Sequence, residues 1–133
     1  MRYLLDTNII IFYTKGKNPK ILEHFAKIHQ SRIAIPSLVL GELEYGARKS
    51  EDYQKRMSRY NEFLNHFNII DFDRKAAIFF GAVRSDLEAR GKMIGPIDTM
   101  IASIALANDC ILVTHNIDEF SRVKGLQIQD WTL

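Results

Sequence analysis

The chain carries a single cysteine, Cys110. No intrachain disulfide can form, and a reducing compartment is the expected setting. It has only 3 prolines and 7 glycines in 133 residues, and no stretch is low in complexity or repeats another. No long hydrophobic run exists: purely apolar stretches such as Ile9–Tyr13 reach only five residues, against the roughly 20 residues that span a bilayer. Asp6 interrupts the first apolar stretch too early for a signal peptide. A soluble cytoplasmic protein with no membrane partner is therefore expected. Neither sign of charge dominates, since 18 Lys and Arg stand against 16 Asp and Glu, a formal +2. That balance neither marks a nucleic-acid binder nor excludes one.

What is present suits one ordinary domain over residues 1–133. Hydrophobic residues make up 47% and charged residues 26%, both near the globular average. A chain of this length buries roughly two-thirds of its unfolded surface and needs neither disulfides nor a structural metal to fold.

Short apolar runs alternate with helical patterns. Strands are expected at Tyr3–Leu5, Arg32–Ile35, Asn68–Phe72, Ile111–Val113 and Leu126–Ile128. Helices are expected at Ile9–Thr14, capped by Thr7 or Asn8, and from Asn18-Pro19 to His29. Others should run from a Ser37 cap to Arg48, over Asp52–Phe67, over Arg74–Arg90 with Gly91 as the stop, and over Ile97–Asn108 behind Pro96. A short one follows at Ile117–Ser121, and Trp131 packs the end. The alternation predicts an α/β fold with a central parallel sheet of four to five strands flanked by helices. In such sheets sites form at the carboxyl ends of the strands.

Acids collect there. Asp6 directly follows the first strand, where it could equally cap the next helix. Glu42 has Leu38, Val39, Tyr45 and Gly46 as helical neighbours, a position on the apolar side where an unpaired carboxylate is costly. Glu44 instead precedes Arg48 by four residues and reads as a surface ion pair. Asp98 opens a helix that carries no charge from Thr99 to Asn108, so that helix should be buried. Thr114, His115, Asn116 and Glu119 follow the fourth strand, and Asn116 with Glu119 has the spacing of a capping box. Several ionised carboxylates at one sheet edge need a cation between them. Oxygen donors without a Cys or His set suit Mg²⁺ or Mn²⁺ rather than Zn²⁺, and such sites commonly handle phosphates.

Across nearly the whole chain, Leu4-Leu5-Asp6-Thr7-Asn8, Glu42-Leu43-Glu44-Tyr45-Gly46, Gly95-Pro96-Ile97-Asp98-Thr99-Met100-Ile101-Ala102, Thr114-His115-Asn116-Ile117-Asp118-Glu119-Phe120 and Asp130-Trp131 stand in the order and spacing of a known family. The chain resembles PIN-domain ribonucleases, and in particular the VapC-type toxins of toxin–antitoxin pairs. The resemblance implies a Mg²⁺- or Mn²⁺-dependent endoribonuclease with Asp6 and Asp98 as metal ligands and Glu42 and Glu119 completing the catalytic acids. It further implies a homodimer, a cognate antitoxin whose tail crosses the site, and structured RNA such as tRNA or rRNA as substrate. Many PIN domains have an aspartate where this chain has Asn116. Either Glu119 then supplies the fourth carboxylate or the site runs on three acids.

On this reading Thr7 or Thr114 hydrogen-bonds the scissile phosphate or a ligand carboxylate, beside Asn116. Cations must flank an acidic site that admits RNA. Arg90 and Lys92 are expected there, because their loop leads into the Asp98 helix; Arg48-Lys49, Lys55-Arg56-Arg59 and Arg84 are further candidates. Tyr3, Phe12, Tyr13 and Tyr45 could stack bases, but core packing is what we expect of them. Two enzymatic rivals fit poorly. A receiver domain wants a lysine after a late strand, where this chain has Thr114-His115, and a haloacid-dehalogenase-type phosphatase wants two aspartates two apart, where Asp6 is followed by Thr7-Asn8. The standing alternative is a non-catalytic module of the same fold that binds RNA or protein.

Overall fold

A computed structural model describes all 133 residues. Five strands, β1 (Arg2–Leu5), β2 (Ile33–Pro36), β3 (Asn68–Ile70), β4 (Cys110–Val113) and β5 (Ile128–Gln129), form one sheet in the order β3-β2-β1-β4-β5. Every pairing is parallel. Seven helices connect them: α1 (Thr7–Lys15), α2 (Pro19–Lys27), α3 (Ser37–Arg48), α4 (Tyr53–Leu64), α5 (Arg74–Ala89), α6 (Pro96–Ala107) and α7 (Ile117–Phe120). Both faces of the sheet are covered. Successive strand residues point to opposite faces, yet Leu4 and Leu5, and likewise Ile33, Ala34 and Ile35, are all buried. This is why the strands read as continuous apolar runs without alternation.

The strand order has a consequence for function. From β1 the chain moves outward through β2 to β3, then crosses back to β4 and β5 on the other side. The reversal leaves a crevice at the carboxyl ends of β1 and β4, the place where open α/β sheets take ligands. Leu5 pairs with Val113 in register. The next residues, Asp6 and Thr114, are therefore brought side by side.

Element boundaries depart from the sequence reading in ways that caps explain. Helix α1 starts at Thr7, two residues before the expected Ile9, and of the caps the sequence offered the structure uses Asp6, whose carboxylate accepts the Thr7 N–H at 2.8 Å, and not Thr7 or Asn8. Ser37 does not cap α3; Pro36 occupies that position and no side chain caps the helix. Asn18 does cap α2, accepting from Lys20 and Ile21, but the helix stops at Lys27, before a single turn of 3₁₀ helix at Gln30–Arg32. Asp52 caps α4. Gly91 ends α5 with φ 64°, a left-handed turn that glycine adopts without a Cβ penalty. There the Lys92 N–H reaches the Leu87 carbonyl at 2.8 Å, as in a Schellman stop.

The core runs through the sheet into α6, whose Ile101, Ala102, Ile104 and Ala105 are buried, as its lack of charge predicts. Trp131 is fully buried at the end of the chain. It stacks on His24 at 5.0 Å and meets Tyr3 and Phe25 at 5.3 and 5.2 Å between ring centroids.

Candidate active site

Helices α1, α3, α6 and α7 begin just beyond the carboxyl edge of the sheet, and each brings or follows an acid. Asp6 is the most deeply set, with 7% of its surface exposed. Its Oδ1 takes the Thr7 N–H, and its Oδ2 takes the hydroxyl of Thr114 at 2.8 Å. Thr114 is itself held, because its hydroxyl oxygen accepts the Asn116 N–H at 2.9 Å. Burial pushes the Asp6 carboxyl above its ordinary range, and the two hydrogen bonds pull it back in part.

Asp98, in the first turn of α6, is half-buried. Its pKa is pushed up to about 6, first by burial, then by the negative charges of Asp6, Glu119 and Glu42. The charges of three acids on distant segments of the chain are therefore felt at Asp98. None of the four is in a salt bridge. Glu42 is half-buried, between the buried Val39 and Leu43 and the exposed Tyr45 and Gly46, so it borders the apolar side of α3 rather than lying within it. Glu44 does pair with Arg48, at 3.9 Å, and also accepts the Tyr53 hydroxyl at 2.7 Å.

This donor set fits a hard divalent cation. All the donors are carboxylate oxygens, and the mutual repulsion that raises Asp98 is what a 2+ ion relieves. No three His, Cys, Asp or Glu side chains are grouped so that they could hold an ion by themselves. Mg²⁺ does not need such a group, since it keeps several waters and takes one or two carboxylates directly.

Other expected site residues are distributed unevenly. Thr114 orients a carboxylate. Thr7 contributes its backbone N–H to Asp6. Asn116 precedes α7 without capping it by its side chain, so the capping box with Glu119 does not form and Glu119 stays available to the site. His115 turns instead to Asp130 at 3.1 Å and to Thr132. The Arg90 guanidinium is spent on Asp86 at 2.7 Å and on the Arg122 carbonyl, whereas the Lys92 ammonium makes no ion pair. Two further ion pairs were not expected from sequence: Lys124 with Asp86, and Arg122 with Asp118, although the latter two have ion-pair spacing. Of the four aromatics, Tyr3, Phe12 and Tyr13 pack as expected, but Tyr45 is exposed.

Known proteins share this fold and much of this sequence. A sequence profile of the PIN domain matches residues 3–126. Over 132 residues, 99% of each chain, the protein is 38% identical to one described as tRNA(fMet)-specific endonuclease VapC from Shigella flexneri. It is 42% identical over 135 residues, 98% of each chain, to one described as ribonuclease VapC2 from Rickettsia felis. Among solved structures, the crystal structure of DNA-bound VapBC from Salmonella typhimurium contains a chain that superposes with a TM-score of 0.92 at 38% identity, covering 98% of both chains.

Proposed function

The chain belongs to the PIN domain family, and from that premise we propose that it is a VapC-type endoribonuclease, the toxin of a toxin–antitoxin pair, that hydrolyses phosphodiester bonds in structured RNA at the Asp6–Asp98 edge of the sheet. Near-full-length similarity to ribonucleases named VapC supports the activity and the toxin role. The likeness to a chain of a VapBC complex supports an antitoxin partner. Relatives described as tRNA(fMet)-specific support the tRNA class. No helix is long and apolar enough to cross a membrane. A cytoplasmic setting accords with an RNA substrate and the free Cys110 thiol. An isoleucine left 69% exposed on α5, Ile78, accords with a homodimer.

The observation that carries the catalytic reading is the convergence of Asp6, Glu42 and Glu119 on Asp98, with none of the four in a salt bridge. Asp6 and Asp98 are the residues that would hold the metal, Mg²⁺ with Mn²⁺ as a substitute. When bound, it supplies positive charge against the phosphate and polarises its oxygens. The chain's own part is positional. Thr114 and the Thr7 N–H fix the Asp6 carboxylate in one orientation. Glu42 and Glu119 flank Asp98, where either can accept a proton from a water aligned with the scissile phosphorus. Asn116 offers an amide beside them. Lys92, on the loop leading to α6, is free to meet the RNA backbone.

Sequencing RNA ends after brief expression tests this. The parent chain should produce discrete new ends in tRNA or rRNA, and an Asp98→Ala chain should produce none. An Asp6→Asn protein that cuts RNA at the parent rate overturns the assignment.

A further inference from the structure

The outward face of α3 beyond Glu42 has no role in the reading above. Tyr45 lies one turn on from Glu42 and is 62% exposed. One turn further, the Lys49 ammonium stands 4.9 Å from the centre of the Tyr45 ring. A long helical side chain leans back over the residues three and four before it, here Glu42 and Gly41. Position 41 has no side chain to lay against the ring. The space there is open, since a Cβ at Gly41 would meet nothing within 4 Å. A helix-interior glycine is destabilising relative to alanine, so folding alone favours a side chain at 41. The adjoining side of α3 is locked: Glu44 accepts the Tyr53 hydroxyl at 2.7 Å, and the Arg48 guanidinium lies 4.6 Å from the Tyr53 ring centre. Tyr45 therefore stands on a fixed helix, and the backbone beside it is bare.

The charge of the surroundings selects the occupant. Four cations, Lys49, Lys55, Arg56 and Arg59, line a cleft of about 440 Å³ at the α3–α4 turn, where they outnumber the two acids Glu51 and Asp52. None of these four is in a salt bridge. An aromatic face between a phosphate-handling acidic centre and a run of free cations is the arrangement that binds a single nucleic-acid strand, with the base on the ring and the backbone along the cations.

We propose that Tyr45 is a specificity-determining residue whose ring stacks on a nucleobase flanking the scissile phosphodiester of an unpaired RNA segment, with Lys49 taking the adjoining phosphate. The proposal rests on the endoribonuclease reading. It goes beyond it in naming which face of the molecule the strand follows and why unpaired bases are required.

The test is steady-state cleavage of purified bulk tRNA in Mg²⁺ by the full chain and its variants. Tyr45→Ala should raise KM on the order of tenfold, the usual effect of deleting one stacking ring, and leave kcat within about twofold. Tyr45→Phe should restore the parent KM, because stacking needs the ring and not the hydroxyl. Gly41→Leu, which drapes a side chain over the ring, should repeat the rise in KM without lowering the melting temperature. An unchanged KM in Tyr45→Ala, or a Tyr45→Phe as impaired as the alanine variant, overturns the proposal. Loss of antitoxin binding by Tyr45→Ala with unaltered RNA kinetics assigns the ring to a protein partner and overturns it too. If the parent chain cuts no RNA, the endoribonuclease reading fails by itself. The stacking proposal is then decided by Tyr45→Trp, whose fluorescence tRNA should quench, and absence of quenching overturns it.

Discussion

The Thr114 hydroxyl donates to the Asp6 carboxylate at 2.8 Å, a buried hydrogen bond between residues 108 apart in the chain. It joins the first strand's exit to the fourth's, and it is the larger of the two hydrogen bonds that partly offset the burial pushing the Asp6 pKa up. Thr114→Val keeps the shape and removes the donor. Asp6 should then titrate higher still. The variant should need about ten times more Mg²⁺ for half-maximal cleavage, as expected when a partner of a metal ligand is lost. The acid limb of its pH–rate profile should move upward, and Thr114→Ser should restore both.

Asp98 gives the metal-free protein a pH dependence of definite sign. Its carboxyl titrates at about 6 in the folded chain against an ordinary 3.8, so the folded state binds that proton more tightly than the unfolded state does. Stability is then fully present below about pH 4, falls as pH rises to about 6, and is level above that. Thermal melts in EDTA should follow this course. Asp98→Asn should flatten it and melt higher than the parent at neutral pH. Mn²⁺ should stabilise the parent and leave the variant unmoved.

Removal of either proposed metal ligand tests the chemistry. Asp6→Asn and Asp98→Asn should each lower cleavage by roughly 10²-fold or more, since metal-assisted charge stabilisation is worth several kcal/mol. Both should retain native circular dichroism. Initial rates on labelled tRNA give the comparison.

Arg90 and Lys92 should separate. Arg90 holds the Asp86 carboxyl below its ordinary range, burial opposing and Lys124 assisting. That contribution is present above the ordinary carboxylate pKa and is lost as pH falls through the depressed one. Arg90→Ala should lower the melting temperature near neutral pH and leave the KM for RNA unchanged. Lys92→Ala should leave melting unchanged and weaken RNA binding, reducing the salt slope of binding by about one. Salt titrations of the two variants, made in the Asp98→Asn background to prevent cleavage, distinguish them.

Trp131 anchors the carboxyl end. Its ring is fully buried against His24, Tyr3 and Phe25. Trp131→Phe leaves a cavity and should lower the urea midpoint measurably. Trp131→Ala should cost about 3–5 kcal/mol, a large share of the roughly 5–15 kcal/mol that holds a domain together.

The alternation of apolar runs with helical patterns determined the parallel α/β fold, because strands buried on both faces must be apolar throughout and helices must carry one apolar side. The strand ends at Leu5 and Val113 were legible for that reason, as were the Asn18 and Asp52 helix starts and the Gly91 stop, which depend on groups a few residues apart. The acids Asp6, Glu42, Asp98 and Glu119 were legible as candidates because each is a carboxylate at the mouth or on the border of an apolar element. Other features needed coordinates, since each depends on a residue distant in the chain or on an environment local spacing does not fix. Asp6 caps α1 while bonded to Thr114 only because strand register brings β1 and β4 together. Arg90 has a second partner besides Asp86 because the turn after α7 delivers the Arg122 carbonyl to it. Tyr45 stands exposed, unlike Tyr3 and Tyr13, because no other element packs over that side of α3. Local propensity wrote the elements; the order β3-β2-β1-β4-β5, set by how the strands share one sheet, decided which of their polar groups meet.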